Sequence, residues 1–108
     1  MPIYNKLVRD RIPELIESTG KQFSTRTLDI QEYIKELKNK SKEELDEYLN
    51  AENDKDSIEE LADLLEIIHA LAECHGITFE ELEVVRQKKA EKRGGFKEKI
   101  FLIKVEDE

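Results

Sequence analysis

Ile58, Leu61, Leu64, Leu65, Ile68, Leu71 and Ala72 recur at spacings of three and four residues. That period commits the middle of the chain to one helix with a wide apolar face, and Gly76 stops it. Upstream, Asp29-Ile30-Gln31-Glu32 has capping-box character and opens a long helix towards Asn50. Its apolar stripe is Tyr33, Ile34, Leu37, Leu45, Tyr48 and Leu49, with Asn39-Lys40-Ser41 as a place for a bend. The polar stretch Ala51-Glu52-Asn53-Asp54-Lys55-Asp56-Ser57 reads as the turn between the two helices, with the second beginning near Ile58. The two helices then fold back antiparallel.

The flanks are read in the same way. Met1 to Arg9 is an irregular lead-in; Pro13 suits the first turn of a short helix, with Asp10 as its cap and Gly20 beyond its end. Lys21 to Thr27 is an extended connector. Thr78-Phe79-Glu80-Glu81 is a second capping box and opens a third long helix through Leu82 and Val85 to Arg93, ended by Gly94-Gly95. Phe96 to Val105 alternates apolar and polar residues, which predicts a short strand. The expectation is one all-α domain over residues 1–108: an antiparallel helical hairpin bundle with a short C-terminal strand. A hairpin this thin cannot enclose its own apolar face, so oligomerisation is expected to complete it.

Two acidic steps flank the predicted turn: Glu43-Glu44-Leu45-Asp46-Glu47 and Glu60-Leu61-Ala62-Asp63. A spacing of three puts Glu44 with Glu47, and Glu60 with Asp63, on one helix face each. With the turn at residues 51–57, Glu47 and Glu60 stand at similar heights, and Glu44 and Asp63 form a second level one helical turn further in. Two like charges about 4 Å apart repel by roughly 4 kcal/mol at an effective dielectric near 20, so convergence calls for a hard divalent cation. A plainer explanation competes with this. Ser57-x-x-Glu60 and Ser41-x-x-Glu44 are themselves capping-box patterns, and acidic residues near a helix start are favoured by its dipole.

Composition narrows the function classes. Charged residues make up 41% of the chain and hydrophobic ones 38%, with a net charge of -8. That balance argues against a nucleic-acid partner, and an anionic substrate needs metal ions or local cations to receive it. Two basic groups are available: Lys6, Arg9 and Arg11 near the start, and Lys88, Lys89, Lys92 and Arg93 before the glycine pair. Basic residues at the second place also satisfy the carbonyls of a helix end. The single cysteine, Cys74, excludes an internal disulfide and fits a reducing cytoplasm, and we read it as a small buried hydrophobe. His69 and His75 lack a metal-ligand spacing and are read as structural. No apolar run approaches the roughly 20 residues a membrane span requires, and no export pattern opens the sequence.

The acidic steps resemble the E-E-x-x-E…E-x-x-D signature of the all-α nucleotide pyrophosphohydrolases, the MazG-like and phosphoribosyl-ATP pyrophosphohydrolase group. The opening Tyr4-Asn5-Lys6-Leu7-Val8-Arg9-Asp10-Arg11-Ile12-Pro13 and the stretch Lys92-Arg93-Gly94-Gly95-Phe96 are similar to its house-cleaning pyrophosphatase branch. The resemblance spans most of the chain. It implies that Glu44, Glu47, Glu60 and Asp63 ligate magnesium (with manganese as a substitute) and that Glu43 is a weaker candidate. It also implies cleavage of a nucleoside triphosphate between the α- and β-phosphates, and a homodimer or higher assembly. Lys6, Arg9, Lys89 and Arg93 are then the expected phosphate contacts. Two other readings stand beside this one: phosphoribosyl-ATP hydrolysis in histidine biosynthesis, and a non-catalytic helical assembly module whose acidic face is solvated or holds a structural cation.

Overall fold

The computed structural model describes residues 2–107. Met1, which the expected lead-in includes, and Glu108 lie outside the described residues. The chain forms four helices: α1 (Ile12–Glu17), α2 (Ile30–Asn50), α3 (Asp54–Cys74) and α4 (Phe79–Arg93). The all-α class expected from the periodicity is what forms, and no strand occurs among the described residues.

Local chemistry sets the helix ends. Asp29 caps α2, its carboxylate accepting from the Glu32 amide at 2.9 Å. Thr78 caps α4, its hydroxyl oxygen accepting from the Glu81 amide at 3.1 Å. Gly76 ends α3 with φ of 79°, a left-handed conformation that glycine adopts without a steric penalty. Asp10 does not cap α1, in contrast to the sequence reading. Arg11 holds the N-cap position without a side-chain capping bond to the backbone, and the Ile12 amide is met by the Arg9 carbonyl at 3.1 Å.

Two further differences bear on function. Asn39-Lys40-Ser41 does not interrupt α2, because the Ser41 hydroxyl donates to the Lys38 carbonyl within the unbroken helix at 2.6 Å. The turn is also shorter than expected. Asn53 caps α3, its side-chain oxygen accepting from the Asp56 amide at 2.8 Å, so the helix starts at Asp54 rather than near Ile58. Only residues 51–53 remain to reverse the chain.

The antiparallel pair α2–α3 is the body of the molecule, and α4 packs more lightly against α3. Leu37 of α2 and Ile67 and Ala72 of α3 are the buried apolar residues among those described. Residues 96–105 leave the body as an exposed extended arm with a single turn at Lys97–Glu98. The strand expected there has no neighbouring strand to pair with, and a lone strand leaves its backbone ladder unmade.

Candidate metal centre

With the turn reduced to three residues, Glu44 and Glu60 are equidistant from Glu52 along the chain. The rise of about 1.5 Å per residue therefore sets them opposite one another on antiparallel helices. Glu47 lies one turn along from Glu44 on the same face. Carboxylate oxygens of Glu44, Glu47 and Glu60 all fall within 4.8 Å of one another. Three of the four carboxylates expected to converge do so, in a shifted register. The sequence reading paired Glu47 with Glu60 and Glu44 with Asp63; the earlier start of α3 moves its acidic step a turn away from that alignment.

The same shift removes the capping explanation for these residues. Glu44 sits in the interior of a continuous α2, and Glu60 lies in the second turn of an α3 already capped by Asn53. The Ser57 hydroxyl, which a capping box would aim at the Glu60 amide, donates instead to the Asn53 carbonyl at 2.9 Å.

Glu44 is 9% exposed, the one buried charged residue among those described. Its Oε2 and the Oε2 of Glu60 are buried and have no hydrogen-bond partner. Burial raises the Glu44 pKa, and hydrogen bonding and repulsion from Glu47 raise it further. Glu60 is pushed up to about 7, chiefly by a hydrogen bond shared with Glu47, then by burial and the Glu47 charge. Burial and mutual repulsion thus favour the protonated form of these two carboxyls.

Asp63 stands beside the trio and contributes to the repulsion on both Glu44 and Glu60. Its Oδ1 accepts from Arg9 Nη2 at 2.6 Å. Lys6 Nζ lies 3.5 Å from Glu43 Oε1. Lys40 Nζ stands 3.9 Å from Glu43 Oε2 and 4.0 Å from Glu44 Oε1. The N-terminal segment thus lies as a basic strap over the acidic face of the hairpin. Between strap and helices runs a groove of about 390 Å³ whose walls include Arg9, Arg11, Lys40, Glu44 and Asp63.

Of the four basic residues expected to meet phosphate, Lys6 and Arg9 are brought to the carboxylates. Lys89 and Arg93 are exposed on α4, line neither cavity beside the cluster and form no ion pair among the described residues. Lys40 was missed by the sequence reading, which took it for part of a bend. Its spacing of three and four from Glu43 and Glu44 was the available signal. His69 stacks on Phe79 with ring centroids 3.8 Å apart, His75 is the C-cap of α3, and Cys74 is half-buried rather than buried as expected.

These side chains define a cluster of three carboxylates, two of them with buried unpartnered oxygens, beside an aspartate already satisfied by an arginine. Oxygen ligands at this spacing suit a hard divalent cation, and the adjacent lysines and arginine suit an anion bound to it. Comparison with protein-family models, with curated proteins and with solved structures returns no match to the chain.

Proposed function

We propose that this chain is a magnesium-dependent nucleoside triphosphate pyrophosphohydrolase with a MazG-like bundle. It would convert a nucleoside triphosphate and water to the monophosphate and pyrophosphate, as a house-cleaning enzyme for non-standard nucleotides in the cytoplasm. The observation that carries the reading is the pair of buried, unpartnered Oε2 atoms on Glu44 and Glu60. A buried acceptor without a partner costs about 1–3 kcal/mol, and more when charged, which a bound cation reverses.

The donor set fits the metal: all oxygens, from Glu44, Glu47 and Glu60, with Asp63 adjacent. When bound, magnesium (or manganese) offsets charge on the phosphates and lowers the pKa of a water for attack on the α-phosphorus. The chain's own residues do the remaining work. Glu60 and Glu47, whose carboxylate oxygens lie within 4.8 Å of one another, are placed to take the proton that the attacking water gives up. Arg9 presents a planar fork able to grip phosphate oxygens in pairs, Lys40 adds a point charge along the same groove, and Lys6 adds another in the adjoining cavity. Water's oxygen bonds to the α-phosphorus, the bond from that phosphorus to the α,β-bridging oxygen breaks, and pyrophosphate leaves. Lys89 and Arg93 join this set only where an assembly brings α4 of one copy to the groove of another, and homo-oligomerisation is part of the proposal.

The test is a panel of standard and modified nucleoside triphosphates, plus phosphoribosyl-ATP, assayed with Mg²⁺ for pyrophosphate and monophosphate. We expect turnover that is abolished by a chelator and by Glu60→Gln. Folded protein that releases no pyrophosphate from any of them refutes the reading. Stabilisation by Mg²⁺ without turnover makes the cluster a structural cation site.

A further inference from the structure

The described residues leave the chain far from closed. Its radius of gyration is 18.8 Å, against about 13 Å for a compact domain of this length. Its accessible surface is 10331 Å², whereas a compact monomer of 12.7 kDa exposes about 6,200 Å². The excess, about 4,000 Å² per chain, is more than the roughly 1,000–2,500 Å² that each partner gives to an obligate interface.

The surplus surface has two parts. The first is a stripe on the hairpin formed by Leu45 and Leu49 of α2 with Ile58, Leu61, Leu65 and Ile68 of α3, all of them exposed. The helical repeat of 3.6 residues places this stripe on the flank of the hairpin opposite the one that carries Lys40, Asp63 and Glu66 under the N-terminal strap. The second is the arm, where Phe96, Ile100, Phe101, Leu102, Ile103 and Val105 are all at least 74% exposed.

Their charges are opposite. Residues 43–83, which hold the stripe, carry fifteen acidic side chains against the single Lys55. Residues 86–104, which hold the arm and the end of α4, carry eight basic side chains against two acidic ones. Among the described residues the only ion pair made from 86–104 is the local one between Arg86 and Glu83. A basic apolar arm and an acidic apolar stripe therefore sit on one chain with neither in use.

We propose that residues 96–105 dock on the stripe of a second copy, and that the reciprocal contact makes a two-fold dimer joined by exchanged arms. The contact is isologous: each copy gives an arm and receives one, so it closes at two chains and leaves neither surface open. Apolar side chains of the arm cover Leu61, Leu65 and their neighbours, while Lys97, Lys99 and Lys104 meet the exposed carboxylates of Asp46 and Asp54 beside the stripe. The alternating pattern of the arm, unpaired in the single chain, is suited to an extended segment that buries one face and leaves the other wet.

The proposal concerns association and is read without substrate, so it stands or falls apart from the catalytic reading. Unlabelled and ¹⁵N-labelled full-length chains, refolded together from urea, are treated with a zero-length carboxyl–amine crosslinker and mapped by mass spectrometry. We expect crosslinks of mixed isotope between Lys97, Lys99 or Lys104 and carboxylates of residues 46–66. Sedimentation should show a dimer that both Phe101→Glu/Ile103→Glu and Leu61→Glu weaken by roughly a hundredfold, with helix content by circular dichroism unchanged. Arm-to-stripe crosslinks confined to same-isotope pairs, their absence, a monomer at 100 µM, or a dimer indifferent to the arm variant overturns it.

Discussion

Replacing Glu44 by Gln should produce a crossover in stability that a merely structural glutamate cannot. Glu44 is nine-tenths buried, its Oε2 has no partner, and two further carboxylates lie within 4.8 Å. At that distance one pair of full charges repels by about 3.5 kcal/mol at an effective dielectric near 20. Protonation already relieves part of this, and the exposed side of Glu47 is screened by water, so we take about 1–2 kcal/mol as the penalty still present at neutral pH. Gln keeps the volume, removes the charge and supplies an amide able to donate to Glu47 or Glu60. For a domain near this size, 1 kcal/mol moves Tm by about 4–8 °C. In chelator the variant should therefore melt about 4–16 °C above the parent.

With Mg²⁺ the order should reverse. A cation bound to the folded state alone adds about 2.7 kcal/mol at a hundredfold excess over Kd, and the parent collects that gain while a site missing one charged ligand loses most of it. The assay is thermal melting of both proteins in chelator, in Mg²⁺, and in NaCl at matched ionic strength, at one protein concentration because association also shifts Tm. A variant that melts lower in chelator and responds to Mg²⁺ as the parent does refutes the reasoning: Glu44 would then serve packing alone.

Three further outcomes are expected. Glu60 has its pKa raised above the free value, so between about pH 4.5 and about 7 the folded state holds more protons than the unfolded one. Metal-free stability should fall as pH rises through that window, and Mg²⁺ should flatten the profile; a metal-free Tm that climbs from pH 5 to 7 contradicts the raised Glu60 pKa. Glu60→Gln should abolish turnover while Glu59→Gln, one residue away and exposed, keeps it; equal rates in the two variants would remove Glu60 from the site. Arg9→Lys keeps the charge and an exposed ion pair worth less than about 1 kcal/mol, so Tm should hardly move while kcat/KM falls at least tenfold through loss of the paired phosphate grip; unchanged kinetics would make Arg9 a surface partner of Asp63 only.

The helices were legible because their signals are local. The stripe from Ile58 to Ala72, the Asp29 and Thr78 caps and the Gly76 stop each act within a few residues and need no tertiary information. The start of α3 was misplaced for an equally local reason. Asn53 and Ser57 are both good N-caps, and the polar Asp54-Lys55-Asp56 between them offers no apolar residue to show that it is helical. The arm was read as a strand from alternation alone, but alternation reports only that two faces differ. It does not say what covers the apolar one, which in a single chain is nothing.

The site was legible in its residues and misjudged in its register, and the cause was the same Asn53. Four residues of α3 displace a carboxylate by about 6 Å, more than the whole spread of the Glu44–Glu47–Glu60 trio. Had α3 begun near Ile58, Asp63 would have faced Glu44; as it is, Asp63 lies where an arginine satisfies it. No spacing rule anticipates that contact, because Arg9 and Asp63 are 54 residues apart in sequence and meet through an N-terminal segment without regular structure. The result is a division among four acidic groups that look equivalent in the sequence. Three converge, and two of these, Glu44 and Glu60, leave buried oxygens unpartnered, so on the proposed reading the trio gains most from a metal cation. The fourth is held by a side-chain cation; on the proposed reading an incoming phosphate would draw that arginine away and free Asp63 for the metal.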